Sequence, residues 1–140
     1  MKLSKSKQYE YLDKLSYREL CEKYGESNLV SMFDLSMEEY VEWESKRPIG
    51  NFVNTSRDGY DGLYFLHENN VWKVFWQERK IVRDFDIQEF NEYLDARKYL
   101  AEIQAPIFIR RQAIQAPNQT NKDGEAGWLS KIARLLSFTN

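Results

Sequence analysis

Residues 63–78, "LYFLHENNVWKVFWQE", constrain the fold more than any other stretch of the chain. Two runs rich in aromatic and β-branched side chains flank Asn69-Asn70, and asparagine tolerates the positive φ that a two-residue hairpin turn demands. With those asparagines as the turn, His67 faces Trp72, Phe65 faces Val74 and Leu63 faces Trp76 on one surface of the hairpin. The opposite surface pairs Tyr64 with Phe75 and Leu66 with Lys73, and brings Gln77 near Val82. The first surface is almost wholly apolar, so it is the expected core. "IVRDF", residues 81–85, predicts a third antiparallel strand, in which Phe85 pairs with Val74 and Arg83 lies over Trp76.

Helices are expected on both sides of this meander. Ser16 with Glu19, Ser36 with Glu39 and Asp86 with Glu89 each place a capping hydroxyl or carboxylate three residues before a glutamate, a spacing that satisfies orphan amides at a helix start. They open "YRELCEKY", closed by Gly25, then "MEEYVEWESK", stopped by Pro48, and the long "IQEFNEYLDARKYLAEIQ", stopped before Pro106. A further helix is expected through "SKQYEYLDKL". In the long helix Ile87, Phe90, Leu94 and Ala101 share a stripe, with Tyr93, Arg97 and Leu100 beside it, which predicts a core-facing amphipathic helix. "APIFIRRQAIQAP" reads as an edge strand or strap, "APNQTNKDGEAG" as a polar linker, and "WLSKIARLLSF" as a short amphipathic helix. The expected fold is therefore α+β: N-terminal helices, a three-stranded antiparallel meander, one long packing helix and a tethered C-terminal helix. Residues 1–115 are read as one domain, 116–127 as linker and 128–138 as the tail helix, expected to dock on protein rather than lie on a membrane.

Charge is unevenly distributed. Residues 1–104 carry 15 Lys and Arg against 20 Asp and Glu, whereas residues 105–140 carry five against two. An acidic body disfavours nucleic acid, since phosphate contacts need clustered cations, and it suits a basic partner. The start "MKLSKSKQYEYL" has no apolar signal-peptide core and no run is long enough to span a membrane, so the expected location is the cytoplasm. One cysteine, Cys21, rules out an intrachain disulfide and a multi-cysteine zinc site. The only histidine, His67, falls in a strand opposite Trp72, where an imidazole serves packing. The six glycines are scattered through turns rather than gathered in a phosphate loop. Carboxylate pairs such as Glu38/Glu39 and Asp58/Asp61 are accounted for by a charged helix face and a turn. The expectation is a non-catalytic protein with no cofactor and no metal.

Two resemblances bear on function. "LSYRELCEKYGESNLVSMFDL" is similar to a helix-turn-helix DNA reader, with Cys21 and Gly25 four positions apart, but Glu26 stands where an apolar residue is usual. The would-be recognition helix carries no Lys or Arg and includes Asp34. A DNA-binding regulator using residues 17–35 is the alternative function. Residues 62–100 resemble small bacterial immunity proteins of polymorphic-toxin systems of the contact-dependent inhibition type. The likeness lies in a displayed aromatic strand, the "W-x-V-x-x-x-E-R" spacing of Trp72, Val74, Glu78 and Arg79, a third strand, and a helix opened by an acidic cap. Lys80 stands where a glycine is common. The resemblance implies a non-catalytic cytoplasmic protein that binds and blocks a cognate toxin domain, and it assigns no inhibitory residues. From the residues themselves, the expected partner site is the hairpin's second face. Tyr64, Lys73, Phe75 and Asp84 form its centre, and Asp58 and Asp61 its rim, facing a basic toxin domain.

Overall fold

A computed structural model gives the structure of residues 2–57, 59–79, 81 and 86–115. The elements run α1 (Lys5–Lys14), α2 (Tyr17–Tyr24), α3 (Glu26–Met32), α4 (Met37–Glu44), β1 (Val53–Asn54), β2 (Gly62–Glu68), β3 (Val71–Gln77), β4 (Gln88–Phe90), α5 (Tyr93–Gln104) and α6 (Ile107–Gln115). The fold is α+β. The sequence reading treats residues 1–115 as one domain. The structure divides the chain there into two compact units, one drawn from residues 1–40 and 105 onward, the other from 41–104. The expected linker 116–127 and tail helix 128–138 lie outside the described residues.

The first unit is helical, and its boundaries follow local chemistry. Ser4 caps α1 by accepting from Lys7 N, and Ser16 caps α2 by accepting from Glu19 N. Ser36 and Glu39 form the full reciprocal box at α4: Glu39 N donates to Ser36 Oγ at 3.0 Å and Ser36 N to Glu39 Oε1 at 3.2 Å. Gly25, at φ 84°, ends α2 and starts α3, a conformation that favours glycine. Leu20, Leu29, Met32, Phe33 and Leu35 are buried, as are Phe108 and Ile109 of α6. The rings of Phe33 and Phe108 lie 4.6 Å apart between centroids.

α6 corrects the expectation of an edge strand or strap. Pro106 opens it, and its carbonyl accepts from Ile109 N and Arg110 N. Proline needs no amide partner at a helix start, so the residue read as a breaker acts as an initiator. Gln112 of α6 donates to the carbonyl of Phe33.

The second unit packs α5 on a four-stranded sheet of order β1-β2-β3-β4. The hairpin has the expected register: Leu63 with Trp76, Tyr64 with Phe75, Phe65 with Val74, Leu66 with Lys73 and His67 with Trp72. Asn69 and Asn70 take φ 53° and 65°, as a type I′ turn requires. The sheet is not a three-stranded meander. Val53 and Asn54 add a short strand parallel to β2, and Gln88–Phe90 pairs antiparallel with Trp72–Val74 of β3. Val74 thus faces Gln88, not Phe85. Ile81 makes only an isolated bridge to Glu78. Residues 82–85, with the contacts expected of Val82, Arg83 and Phe85, lie outside the described residues.

The long helix is correspondingly shorter and does not use the Asp86/Glu89 box. Gln88 and Phe90 alternate onto the apolar face of the sheet opposite Val74 and Trp72, and that pairing takes the segment into β4. Helix α5 begins at Tyr93 and buries Ala96, Arg97, Leu100 and Ala101, leaving Leu94 exposed. Its core comprises Val53, Leu63, Phe65, Val74, Ala96 and Leu100, with Trp72, Trp76, Phe90, Tyr99 and Ile103 packed at the edges.

Candidate functional site

The expected partner face of the hairpin is built as foreseen but is not displayed. Tyr64 and Phe75 stack with centroids 5.0 Å apart and planes within 3°, yet they are only 1% and 2% exposed. With Leu66 they form a second small core, against which Ile87 packs. The loop before β2 helps to close it. Arg57 binds the Glu68 carboxylate with two nitrogens, at 2.6 and 2.9 Å, and its guanidinium lies 5.5 Å from the centre of the Phe75 ring. Two hydrogen bonds from Arg57, more than any other cause, hold the Glu68 carboxyl below the usual carboxylate range. Lys73 reaches the same carboxylate at 3.5 Å and is mostly buried. The carbonyl of Tyr60 accepts from the Tyr64 hydroxyl and from Gln77 Nε2. Apolar rings at the centre of the expected site therefore meet the chain's own loop in this conformation. Asp58 and Asp84 lie outside the described residues.

Asp61 is the expected site residue that the structure leaves exposed, and it marks the end of the sheet where loops gather. Its carboxylate accepts from Arg79 N at 2.8 Å. The register puts the start of β1, the start of β2 and the end of β3 at this same end, since Val53 pairs with Leu63 and Gly62 with Gln77. Gly62 has φ 134°, and a Cβ there would come within 3.3 Å of the Asn54 side chain, so glycine is needed for the β1–β2 approach. Three large apolar side chains emerge here: Phe52 at 94% exposure, Tyr60 at 71% and Ile81 at 65%. Each sits on backbone that is tied down. Val53 N donates to Gly50 O beneath Phe52, the Tyr60 carbonyl accepts two side-chain bonds, and Glu78 and Ile81 exchange main-chain bonds at 3.2 and 2.9 Å.

Phe52 and Ile81 were not legible as site residues. The one signal for Phe52 is an aromatic residue set in the turn-forming stretch "PIGNFVNTS". Phe52 offers a large exposed apolar area, which is the kind of side chain that anchors protein interfaces.

The helix-turn-helix segment is also partly realised. α2, Gly25 and α3 are two helices joined at a glycine, and the exposed side chains of α3 are Glu26, Ser27, Asn28 and Ser31. Glu26 pairs with Arg111 at 3.4 Å, Asn28 Nδ2 donates to Tyr24 O, and Ser31 Oγ donates to Asn28 O. Asn28 and Ser31 are thus engaged within the helix pair and Glu26 with α6, and α3 contributes no cation for phosphate.

His67 stacks flat on Trp72, with centroids 4.3 Å apart. Cys21 is half-buried. Among the described residues no group of three or more His, Cys, Asp or Glu side chains is placed to hold a metal ion, and no helix is long and apolar enough to cross a membrane. Comparison with protein-family models, with curated proteins and with solved structures finds no match.

Proposed function

We propose that the chain is a protein-binding module of the immunity type, which neutralises a cognate bacterial toxin domain by stoichiometric association. The observation that carries the proposal is the loop end of the sheet, where Phe52, Tyr60 and Ile81 stand in solvent at the same end as Asp61. A few rigid apolar anchors supply most of the affinity in protein complexes, and neighbouring carboxylates steer a basic partner and raise the on-rate. The acid-rich composition of residues 1–104 supports the same partner chemistry. The site differs from the one expected on the hairpin face. Of the expected residues it keeps Asp61, while Tyr64, Phe75 and Lys73 act beneath it as support for the loop. Catalysis plays no part in this function, and the place of action is the cytoplasm, where a toxin domain would meet its inhibitor.

The test is co-expression in bacteria with the toxin domain encoded next to this chain. Growth restored by the wild-type chain, together with a one-to-one complex on size exclusion, supports the proposal. Unrelieved toxicity with a soluble chain and no complex refutes it. The α2–Gly25–α3 geometry keeps a second reading, a DNA-binding regulator. Its test is a fluorescence-anisotropy titration with duplex DNA at physiological salt, where sequence-selective binding tighter than the non-specific range of roughly 10⁻⁴–10⁻⁶ M would put it first.

A further inference from the structure

The turn that carries Ile81 is held from outside itself. Glu78 and Ile81 exchange main-chain bonds at 3.2 and 2.9 Å, which closes a two-residue turn after β3. Its sequence, "ERKI", offers neither the glycine nor the asparagine that such a turn favours. Arg79 nevertheless takes φ 53°, the left-handed region in which a side chain crowds its own backbone. Local preference works against the turn at Arg79, so a nonlocal contact must offset it.

Asp61 supplies that contact. Its Oδ2 accepts from Arg79 N at 2.8 Å, across 18 residues of chain. In a two-residue turn the amide of the first turn residue takes no part in the ladder, and water can satisfy it. Arg79 and Asp61 are both exposed, so the bond is not needed to rescue a buried group. What it does is fix the Arg79 peptide, and with it the left-handed entry to the turn, by a charge-assisted bond. Asp61 is itself seated by its neighbours. The Tyr60 carbonyl accepts from the Tyr64 hydroxyl and from Gln77 Nε2 at 3.0 Å, and Gly62 pairs with Gln77 at the start of β2. Tyr64 and Gln77 are buried in the sheet. A carboxylate anchored on the sheet therefore reaches across to the turn and clamps it. The side chain displayed there is Ile81, at 65% exposure.

We infer that Asp61 is a positioning residue for the partner contact: its carboxylate sets the Glu78–Ile81 turn, so that Ile81 is held in its binding orientation before the partner arrives. The inference rests on the proposed reading of the loop end as the contact surface. It gives Asp61 a geometric role and leaves the steering of a basic partner to the acid-rich body of residues 1–104. An anchor already held in its bound geometry loses less conformational entropy on association, so the clamp raises affinity without adding a contact.

The experiment compares Asp61→Ala, which removes the acceptor, with Asp61→Asn, which keeps an acceptor oxygen and removes the charge. Both are made in the full chain, and intact mass confirms that the substituted amide has not deamidated. Hydrogen exchange followed by NMR reads the turn in the free protein. Asp61→Ala speeds exchange of the Arg79 and Ile81 amides roughly tenfold or more, as loss of one charge-assisted bond should, and Asp61→Asn by less than about threefold. Affinity for the toxin domain encoded next to this chain follows the same order. Asp61→Ala weakens it roughly three- to tenfold at physiological salt, and Asp61→Asn holds it within about twofold of wild type. In an Ile81→Ala background, Asp61→Ala costs less than about twofold. Ser16→Ala, which lowers stability by removing the α2 cap, leaves affinity within about twofold and separates positioning from general destabilisation. Unchanged Arg79 exchange in Asp61→Ala overturns the inference alone. So does an affinity loss that is equal for the two variants and fades as salt rises, the mark of a steering charge, or one undiminished in the Ile81→Ala background. Failure of the wild-type chain to bind the toxin domain defeats the proposed function and the inference with it.

Discussion

Replacing Arg97 tests how the sheet unit holds its helices together. The side chain is 1% exposed in the middle of α5, and its Nη2 donates to the carbonyls of Glu44 at 2.8 Å and Arg47 at 3.2 Å. The Glu44 carbonyl ends α4 and also accepts from Arg47 N at 3.0 Å, while the Arg47 carbonyl lies in the turn beyond the helix. The Glu44 carboxylate stands 3.5 Å away. Against this, Nε and Nη1 have no partner among the described residues. Hydrogen bonds from a charged donor contribute about 1.5–3 kcal/mol each, and a buried unsatisfied donor costs about 1–3 kcal/mol. Two carbonyl bonds made and three N–H donors unmatched, one on Nε and two on Nη1, nearly cancel, so the polar head adds little net stability and the packed stem adds most. Arg97→Met, which keeps the stem, should therefore fall within roughly 1.5 kcal/mol of wild type, because an apolar isostere often replaces a buried ionic group at little cost. Arg97→Ala also opens a cavity and should lose about 2–5 kcal/mol more than the Met variant. Urea unfolding followed by tryptophan fluorescence gives both values from the midpoint shift at constant m. If Arg97→Met is as damaging as Arg97→Ala, the guanidinium bonds and not the bulk hold α5 to the end of α4, and the cancellation argued here is wrong.

Further outcomes follow from other sites. Phe75→Ala should cost about 3–5 kcal/mol, since the ring is fully buried against Tyr64 and Leu66; near-wild-type melting would return Phe75 to the list of partner-facing residues. Asp34 has a carboxyl held down at about 2, first by the hydrogen bond from Gln8 Nε2 and then by Lys2 and Lys5. Because its folded value lies below the unfolded one near 4, its contribution is fully present above about pH 4 and is lost as pH falls through about 2. Asp34→Asn should therefore lower stability at neutral pH and flatten the acid limb between those values. A parallel loss at every pH would show that the shift plays no part in stability.

Strong local chemistry made much of this fold legible in the sequence. Asn69-Asn70 and the alternation around them set the hairpin register, and the boxes at Ser16 and Ser36 set two helix starts, because each effect acts within a few residues. The box at Asp86 and Glu89 failed where a nonlocal effect competed. Gln88 and Phe90 gain more from pairing with β3 than a capping box supplies, and a cap signature says nothing of a neighbouring strand. Pro106 misled for a related reason: proline both ends and begins helices, and only the burial of Phe108 and Ile109 decides between them. β1 has two residues and no periodicity to detect.

The candidate site was less legible than the fold. Alternation assigns Tyr64 and Phe75 to the second face correctly, but it cannot reveal that Arg57 folds back 11 residues to bind Glu68 and help cover them. Gln8 shows the same blindness. It sits in the polar run "KSKQYEY" yet is fully buried, using its amide to bond Leu3, Asp34 and Leu35. Phe52 is the converse, an aromatic residue left 94% exposed.

The most direct test of the proposed function is the affinity of the cognate toxin domain for wild-type chain and for Phe52→Ala, measured by titration calorimetry alongside thermal melting of each free protein. A large apolar anchor at the centre of an interface typically contributes 2 kcal/mol or more, so the substitution should weaken binding by roughly thirtyfold or more. Melting should stay within about a degree, because a side chain that is 94% exposed supports almost nothing in the free fold. Unchanged affinity in a correctly folded Phe52→Ala variant would contradict the account and remove the loop end of the sheet as the contact surface.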